Sequence, residues 1–344
     1  MKSKKLLMCV LAGLMLAAIP LAGACAQAPT GKTVLTYGAL YPTTHTYSVA
    51  DLAWLDYMNK EVGDRLTIVP YWGATLITEK NSATEVAAGV ADLGYVSPGY
   101  SPIGYDIHKG TLGFYYGVPD YATRRKIYTE VTAKFPQIEA EFTHMKILCT
   151  STGSTYQLIS KKPVRTINDF KGLKVKATGS YMDVIKALGG EGISMPMSDV
   201  YLGMDKGTID ACLAPYETIK SWKFGEVAKY VTVLDFNSAI YATRCMNLNV
   251  WNNLPKDLQK AFEESKPYWE AQDDAGRFGN DQIGYDLGKT QGVEYIKLSA
   301  ADIATVYKAM ETVMHAEAKK LDDKGLPGTA ILEEVRALAA KYTK

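Results

Sequence analysis

The stretch from Ile68-Val69-Pro70 to Gly89-Val90-Ala91-Asp92-Leu93 has a pattern that recurs later in the chain. It recurs from Ser194-Met195-Pro196 to Gly207-Thr208-Ile209-Asp210-Ala211, with the glycines 118 residues apart (207 − 89). Each copy predicts a strand that ends at the proline, a helix that ends at a glycine with left-handed backbone, and a second strand that begins around the aspartate. Chance similarity of two short motifs is the alternative. Two related α/β units predict two similar lobes that bury a ligand between them by hinge closure.

Strands and helices alternate on both sides of these stretches. Apolar residues at helical spacing predict a helix over 47–62, between strands at 33–37 and 65–70. Further strands are predicted at 91–96, 146–150, 173–177, 193–195, 209–213 and 239–248. The C-terminal third is predicted to be mostly helical. One helical stretch runs from 255 to about 286 with an interruption near 276–279, a second helix begins at 299, and a third covers 331–340. This alternation indicates an α/β fold.

The first 26 residues have the layout of a secretory signal peptide. Three lysines lie within the first five residues, an uncharged apolar run follows over 6–23, and Ala24-Cys25-Ala26 fits a cleavage site. The mature chain would then begin at Gln27, in the periplasm. Lipid attachment at Cys25 is the alternative.

Composition excludes several classes of protein. Among 344 residues, 38 are Lys or Arg and 37 are Asp or Glu, which argues against a nucleic-acid partner or an anionic membrane surface. The 47% of hydrophobic residues excludes general disorder, and the length suggests about two domains. The 23 tyrosines against 8 phenylalanines suit a wet cleft.

Motifs for catalysis and for cofactor binding are absent from the sequence. It contains no G-x-G-x-x-G, no G-x-S-x-G and no C-x-x-C, and Gly31-Lys32-Thr33 lacks the earlier glycine of a phosphate loop. The histidines form no ligand pair at helical spacing: His45, His108, His144 and His315. We therefore predict a binding protein without a cofactor or a metal, and not an enzyme. Cys149, Cys212 and Cys245 are expected to be buried free thiols.

Several short motifs occur in an order and spacing that is specific. They are Val90-Ala91-Asp92-Leu93-Gly94, Ser160-Lys161-Lys162-Pro163-Val164, Asp169-Phe170-Lys171-Gly172-Leu173-Lys174-Val175, Val200-Tyr201 through Gly207-Thr208-Ile209-Asp210, Glu226-Val227-Ala228-Lys229-Tyr230-Val231, and Met246-Asn247 with Trp251-Asn252-Asn253-Leu254-Pro255. Together they resemble the solute-binding protein of a tripartite ATP-independent periplasmic (TRAP) transporter. The resemblance implies a type II-like periplasmic binding fold, with two α/β lobes joined by crossover strands and a long helix spanning both lobes.

The resemblance also implies domain limits and partners. Residues 27–153 plus 242–281 would form lobe 1, and residues 154–241 plus 282–344 lobe 2. A small organic solute, expected to be a carboxylate, would bind in the cleft and be delivered to the integral membrane subunits of the transporter. An exported enzyme, a sensor-coupled binding protein and a receptor for a non-carboxylate solute are the alternatives.

The sequence departs from the family at the residues that hold the solute. Family members read G-L-K-[IV]-R, and the arginine clamps the solute carboxylate, whereas this chain ends the motif with Lys176. Lysine keeps the charge but loses the planar fork. Tyr156 stands where a second arginine is common, and Ala214 stands where an asparagine is frequent. Either Lys176 still pairs with a carboxylate, or tyrosine stacking holds another class of solute. Arg244 could supply a guanidinium, or it could form an ion pair within the protein.

The remaining site candidates follow the ends of predicted strands, where ligands of α/β sheets bind. They are His45, Trp72, Ser97, Tyr100, Tyr216 and Asn237.

Overall fold

Eleven strands form two sheets in the computed structural model, which describes residues 31–110, 117–237 and 240–343. The strand order is β2-β1-β3-β10-β4 in the first sheet and β11-β9-β5-β8-β6-β7 in the second. The strands are β1 (Thr33–Gly38), β2 (Leu66–Tyr71), β3 (Leu93–Val96), β4 (Met145–Thr152), β5 (Thr155–Ser160), β6 (Lys174–Lys176), β7 (Glu191–Ile193), β8 (Ala211–Ala214), β9 (Tyr230–Asn237), β10 (Ile240–Asn247) and β11 (Glu294–Lys297).

Thirteen α-helices of the described residues surround the sheets. They are α1 (Thr46–Val62), α2 (Ser82–Ala87), α3 (Asp106–Gly110), α4 (Tyr121–Lys134), α5 (Gln137–Ala140), α6 (Tyr181–Ala187), α7 (Met197–Lys206), α8 (Thr218–Ser221), α9 (Phe224–Val227), α10 (Leu248–Asn253), α11 (Lys256–Thr290), α12 (Ala300–Asp323) and α13 (Gly328–Tyr342).

The repeated sequence pattern corresponds to a repeated strand arrangement. Strand β1 lies between β2 and β3 and is parallel to both, and β6 lies in the same way between β7 and β8. Gly89 and Gly207 both have the predicted left-handed backbone, with φ of 78° and 76°. Asp92 and Asp210 each accept a backbone N–H of the central strand, at 2.7 and 3.0 Å. The predicted relation between the two halves is therefore confirmed.

The chain passes twice between the sheets. Strand β4 of the first sheet leads directly into β5 of the second, and β9 of the second leads back to β10 of the first. Strand β5 pairs antiparallel with β8 and β9, while β10 pairs antiparallel with β3 and β4. The predicted crossover strands are thus present, but the sequence pattern missed β5, β9 and β11.

Helix α11 is one continuous helix of 35 residues, so the predicted interruption at 276–279 is wrong. Glycine in a helix interior costs only about 1 kcal/mol relative to alanine. The buried side chain of Arg277 offsets this cost, because its guanidinium binds Asp273 one turn earlier at 3.0 Å. Arg277 also donates to Ser151 at 2.5 Å and to Ser154 at 3.0 Å, which ties the helix to the β4–β5 crossover.

The same helix reaches elements of both sheets. In its first half, Ser265 Oγ accepts a hydrogen bond from Trp54 Nε1 of α1 at 2.8 Å. In its second half, Asp281 Oδ1 accepts the backbone N–H of Glu217, which follows β8, at 3.0 Å. The expected long helix across both sheets is therefore confirmed.

The last two helices connect with both halves of the chain. Helix α12 contributes to the apolar core over the second sheet, while Ile331 and Val335 of α13 pack with Ile107 and Ile127. The lobe limits stay a prediction. The described residues contain no helix that is both long and apolar enough to cross a membrane. The predicted signal peptide and Cys25 lie outside the described residues.

The three cysteines of the described chain, Cys149, Cys212 and Cys245, are buried and form no disulfide. This agrees with the expected free thiols.

Candidate functional site

A small cavity lies among residues that follow strands of both sheets. Its volume of about 20 Å³ is room for about one water molecule, so a larger solute requires the lining to move apart. The lining residues are Tyr41, His45, Tyr47, Tyr156, Lys176, Thr178, Met197, Leu213, Pro215, Glu217 and Trp222.

Lys176 is the cation of this cavity. It ends β6, and only 3% of its surface is exposed. Its Nζ donates a hydrogen bond to Tyr100 Oη at 2.7 Å. Across the described ranges, no carboxylate lies within ion-pair distance of Nζ. Removing an ammonium group from water is expensive unless an anion pairs with it. The buried Glu79 acts on Lys176 electrostatically but forms no ion pair with it, so an anion in the cavity would be the direct partner of the ammonium.

Aromatic rings form the walls of the cavity. The Tyr41 ring stacks on His45 with the centroids 4.3 Å apart, and Trp222 meets His45 edge-on at 5.8 Å. On the other side, Tyr156 packs against Tyr181 at 5.6 Å. Such surfaces suit an apolar or planar part of a solute.

His45 is a neutral hydrogen-bonding group at the start of α1. Burial, together with the charges of Arg277 and Arg244, lowers the pKa of His45 to about 3. Its Nδ1 accepts the backbone N–H of Tyr47 at 3.3 Å, so Nε2 carries the proton of the neutral ring. Nε2 faces Glu217 Oε1 at 3.9 Å.

Glu217 brings a carboxyl group into the same cavity. Only 7% of its surface is exposed, and burial raises its pKa to about 7. The hydroxyl of Thr46 donates to its Oε2 at 3.2 Å. The cavity thus contains an ammonium, a carboxyl and a neutral imidazole, each with hydrogen-bonding capacity.

We expect the substitution Glu217→Gln to stabilise the protein at high pH. The raised pKa means that the folded state binds a proton between about pH 4.5 and pH 7, where the unfolded state has lost it. This contribution to the free energy of unfolding is present below pH 4.5 and is lost as pH rises through 7. The neutral amide avoids that loss, which amounts to up to about 3 kcal/mol at pH 8.

Urea unfolding of both proteins at pH 5, 6, 7 and 8 measures the difference. The free energy of unfolding of the variant, relative to that of the wild type, should increase as pH rises and become constant above about pH 7. His45 and Asp281 lie nearby and also have shifted pKa values. Both residues are present in the two proteins, so their contributions to the pH dependence cancel to first order in the difference. A difference that is constant across this range would contradict the assignment.

Glu79 connects elements of the two sheets beside the cavity. Its Oε1 accepts a hydrogen bond from Tyr41 Oη at 2.6 Å, and its Oε2 accepts the backbone N–H of Met197 at 3.0 Å. Both oxygens of this buried carboxylate are therefore engaged in holding the Tyr41 segment against the start of α7.

Arg244 does not line the cavity, and it forms the ion pair within the protein that the sequence left open as its alternative role. Its guanidinium forms a two-pronged ion pair with Asp51, with Nε–Oδ1 and Nη2–Oδ2 distances of 2.9 Å each. The rings of Tyr95 and Trp269 lie 4.2 and 4.5 Å from its central carbon. Because β10 runs through the interior of the first sheet, its side chain enters the core under α1.

Two predicted aromatic residues also lie away from the cavity. Trp72 packs edge-on against Tyr37 at 6.1 Å and covers the core of the first sheet. Tyr216 packs on Tyr285 of α11 at 5.3 Å. In the turn after β8, its neighbour Glu217 lines the cavity instead.

Two predicted polar residues serve the framework. The backbone N–H of Ser97 donates to Ser82 Oγ at 3.2 Å, and Ser97 does not line the cavity. Asn237, at the end of β9, donates to Thr155 Oγ1 at 3.0 Å and so joins the two crossovers. Of the predicted set, Lys176, Tyr156 and His45 line the cavity, and Tyr100 contacts it through Lys176.

Sequence reasoning missed most of the lining. The missed residues are Tyr41, Tyr47, Thr178, Met197, Leu213, Pro215, Glu217 and Trp222. Some follow predicted strands closely, as Tyr41 and Thr178 do, and Met197 follows Pro196 of the repeated pattern. A lone sequence does not tell which of these side chains faces inward.

A profile described as bacterial extracellular solute-binding protein, family 7, matches residues 38–320. The chain belongs to this family. One relative is the monocarboxylate 2-oxoacid-binding periplasmic protein of Nostoc sp. (strain PCC 7120), 27% identical over 206 residues, which are 58% of this chain and 56% of that protein. The 2,3-diketo-L-gulonate-binding periplasmic protein of Escherichia coli (strain K12) is 40% identical over 76 residues, 22% of this chain and 23% of that protein. The chain thus spans little more than half of the first relative and a quarter of the second.

Solved structures of similar fold cover nearly the whole chain. A TRAP periplasmic solute-binding protein of Desulfovibrio salexigens has a TM-score of 0.75 and 25% identity, covering 91% of this chain and 97% of that one. A marine metagenome TRAP solute-binding protein specific for aromatic acid ligands has a TM-score of 0.83 and 18% identity, covering 91% and 99%. The two-lobed periplasmic binding fold expected from the sequence is confirmed.

Proposed function

We propose that this family 7 protein is a periplasmic receptor for a small organic acid, which it binds without chemical change. The single observation that carries the proposal is the buried ammonium of Lys176, which lines the cavity and forms no ion pair with a carboxylate of the described residues. A solute carboxylate would supply the missing charge. Aromatic walls would cover the rest of the solute.

The solutes of similar proteins support the proposal that the solute of this protein is an acid. One relative binds monocarboxylate 2-oxoacids, and structures of the same fold contain benzoate, 3-hydroxybenzoate, mandelate and orotic acid. In our proposal the solute binds to an open form, the lobes close around it, and the closed form delivers it to the integral membrane subunits of a TRAP transporter. Closure by hinge motion suits a cavity that has almost no free volume in the present form.

A thermal-shift screen of the refolded, ligand-stripped protein tests this proposal. The solutes are sorted into aliphatic carboxylates, aromatic carboxylates, neutral polyols and cations. A ligand at 100 times its dissociation constant adds about 2.7 kcal/mol of stability, which raises the unfolding temperature by several degrees. We expect this with carboxylates. A shift only with neutral or cationic solutes would contradict the proposal. Recovery of the intact acid after denaturation checks that no reaction has occurred.

A further inference from the structure

The cavity has two further titratable side chains besides Lys176. Glu217 and His45 both line it, and only 7% and 4% of their surfaces are exposed. Lys176 does not neutralise Glu217, because the two form no ion pair. A carboxyl group is costly to bury without hydrogen-bond partners, and Thr46 supplies one of them. The proposed acid contact at Lys176 leaves these two side chains without a role.

The two side chains are placed so that a third group lying beside them can reach both. His45 Nε2 and Glu217 Oε1 are 3.9 Å apart, which is too long for a direct hydrogen bond. Nε2 is a donor, because Nδ1 of the neutral ring already accepts from Tyr47. Glu217 provides the facing acceptor. A donor and an acceptor therefore face each other across a gap inside a buried cavity.

A hydroxyl group fits this arrangement, because its oxygen accepts one hydrogen bond and its proton donates another. We propose that His45 and Glu217 select acids that also carry a hydroxyl group, which accepts from Nε2–H and donates to Oε1. The inference rests on the proposed function, since Lys176 holds the carboxylate of the same solute. It adds the class of solute: a hydroxy acid.

The expected discrimination follows from the cost of leaving buried polar groups unpaired. An acid without the hydroxyl would exclude water from His45 and Glu217 without forming hydrogen bonds to them. Sites built to hydrogen-bond a hydroxyl reject the analogue that lacks it more strongly than apolar pockets reject an extra group. The preference should therefore be largest in the wild type and should depend on Glu217.

Isothermal titration calorimetry at pH 8 with matched acids tests this. The pairs are benzoate and 3-hydroxybenzoate, phenylacetate and mandelate, and propionate and lactate. In at least one pair we expect the hydroxy acid to bind at least 10-fold more tightly to the wild type. The variant Glu217→Ala should reduce that advantage below threefold, mainly because the plain acid then leaves one buried polar group fewer unpaired. Glu333→Ala, on the exposed face of α13, is the matched control and should behave as the wild type.

Glu217→Gln is a second variant in case the alanine variant unfolds, because its amide oxygen still accepts from Thr46. It should also lose most of the advantage. Equal binding of both acids in every pair, or an unchanged advantage in the variants, would overturn this inference and leave the proposed function standing. Failure of all six acids to bind the wild type, with binding of neutral or cationic solutes, would overturn both.

Discussion

Replacing Lys176 by alanine should weaken binding of the solute acid at least about 100-fold and leave the protein folded. The ammonium is buried in the cavity, and its only hydrogen-bond partner among the described residues is Tyr100. Leaving one member of a buried ion pair alone costs about 3–5 kcal/mol, and here the solute carboxylate would be the member left alone. The effect should therefore fall on binding more than on stability.

Calorimetry with whichever acid the thermal-shift screen identifies measures this loss. Lys174→Ala is a matched control, because Lys174 lies on the same strand and is exposed. The control should bind as the wild type. Lys176→Arg keeps the charge and should retain part of the affinity. Unchanged affinity of the alanine variant would contradict the assignment of Lys176 as the cation that pairs with the solute.

The second large effect concerns stability. Asp51→Ala should lower the free energy of unfolding by about 4 kcal/mol, because it leaves Arg244 as an unpaired charge in the core. Asp51 accepts from Arg244 through both oxygens at 2.9 Å, and it also accepts from Tyr37 at 2.5 Å and Trp269 at 2.8 Å. One carboxylate thus joins α1, β10, β1 and α11.

Urea unfolding of the ligand-free protein measures this effect. Asp56→Ala, on the exposed side of the same helix, should change the free energy of unfolding by less than about 0.5 kcal/mol. The double variant Asp51→Ala, Arg244→Met should recover much of the loss, since a buried pair is often replaceable by apolar groups. If the single variant at Asp51 unfolded like the wild type, the ion pair would not stabilise the fold.

Local chemistry made much of the fold predictable. Gly89 and Gly207 need a left-handed backbone, and Asp92 and Asp210 accept the amide of a neighbouring strand. The glycine requirement acts within one short stretch of chain, which makes the pattern recognisable, whereas the two aspartates bind strands 56 and 36 positions earlier. The false interruption of α11 shows the limit of this logic. The glycines near Arg277 weaken the helix locally, but the contacts of Arg277 with the distant crossover strand keep it continuous.

The candidate site was predictable only in part. Lys176 was found because it replaces an arginine in a motif of adjacent residues, and it does line the cavity. Arg244 and Tyr216 were equally plausible from the sequence, yet one lies in the core and the other against α11. Their neighbours in sequence give no information on which partner meets them in space.

By itself the sequence determined the α/β class and the two related halves, and the family resemblance added the crossover strands and the lysine in place of the arginine. These features depend on hydrophobic period, on glycine conformation and on motifs of consecutive residues. Only the tertiary structure decided that Arg244 is neutralised by Asp51, that Lys176 forms no ion pair with a described carboxylate, and that His45 faces Glu217. Glu217 stands 172 positions after His45 (217 − 45). Pairings over such separations are set by how the two sheets pack around α11, and no local pattern in the chain encodes them.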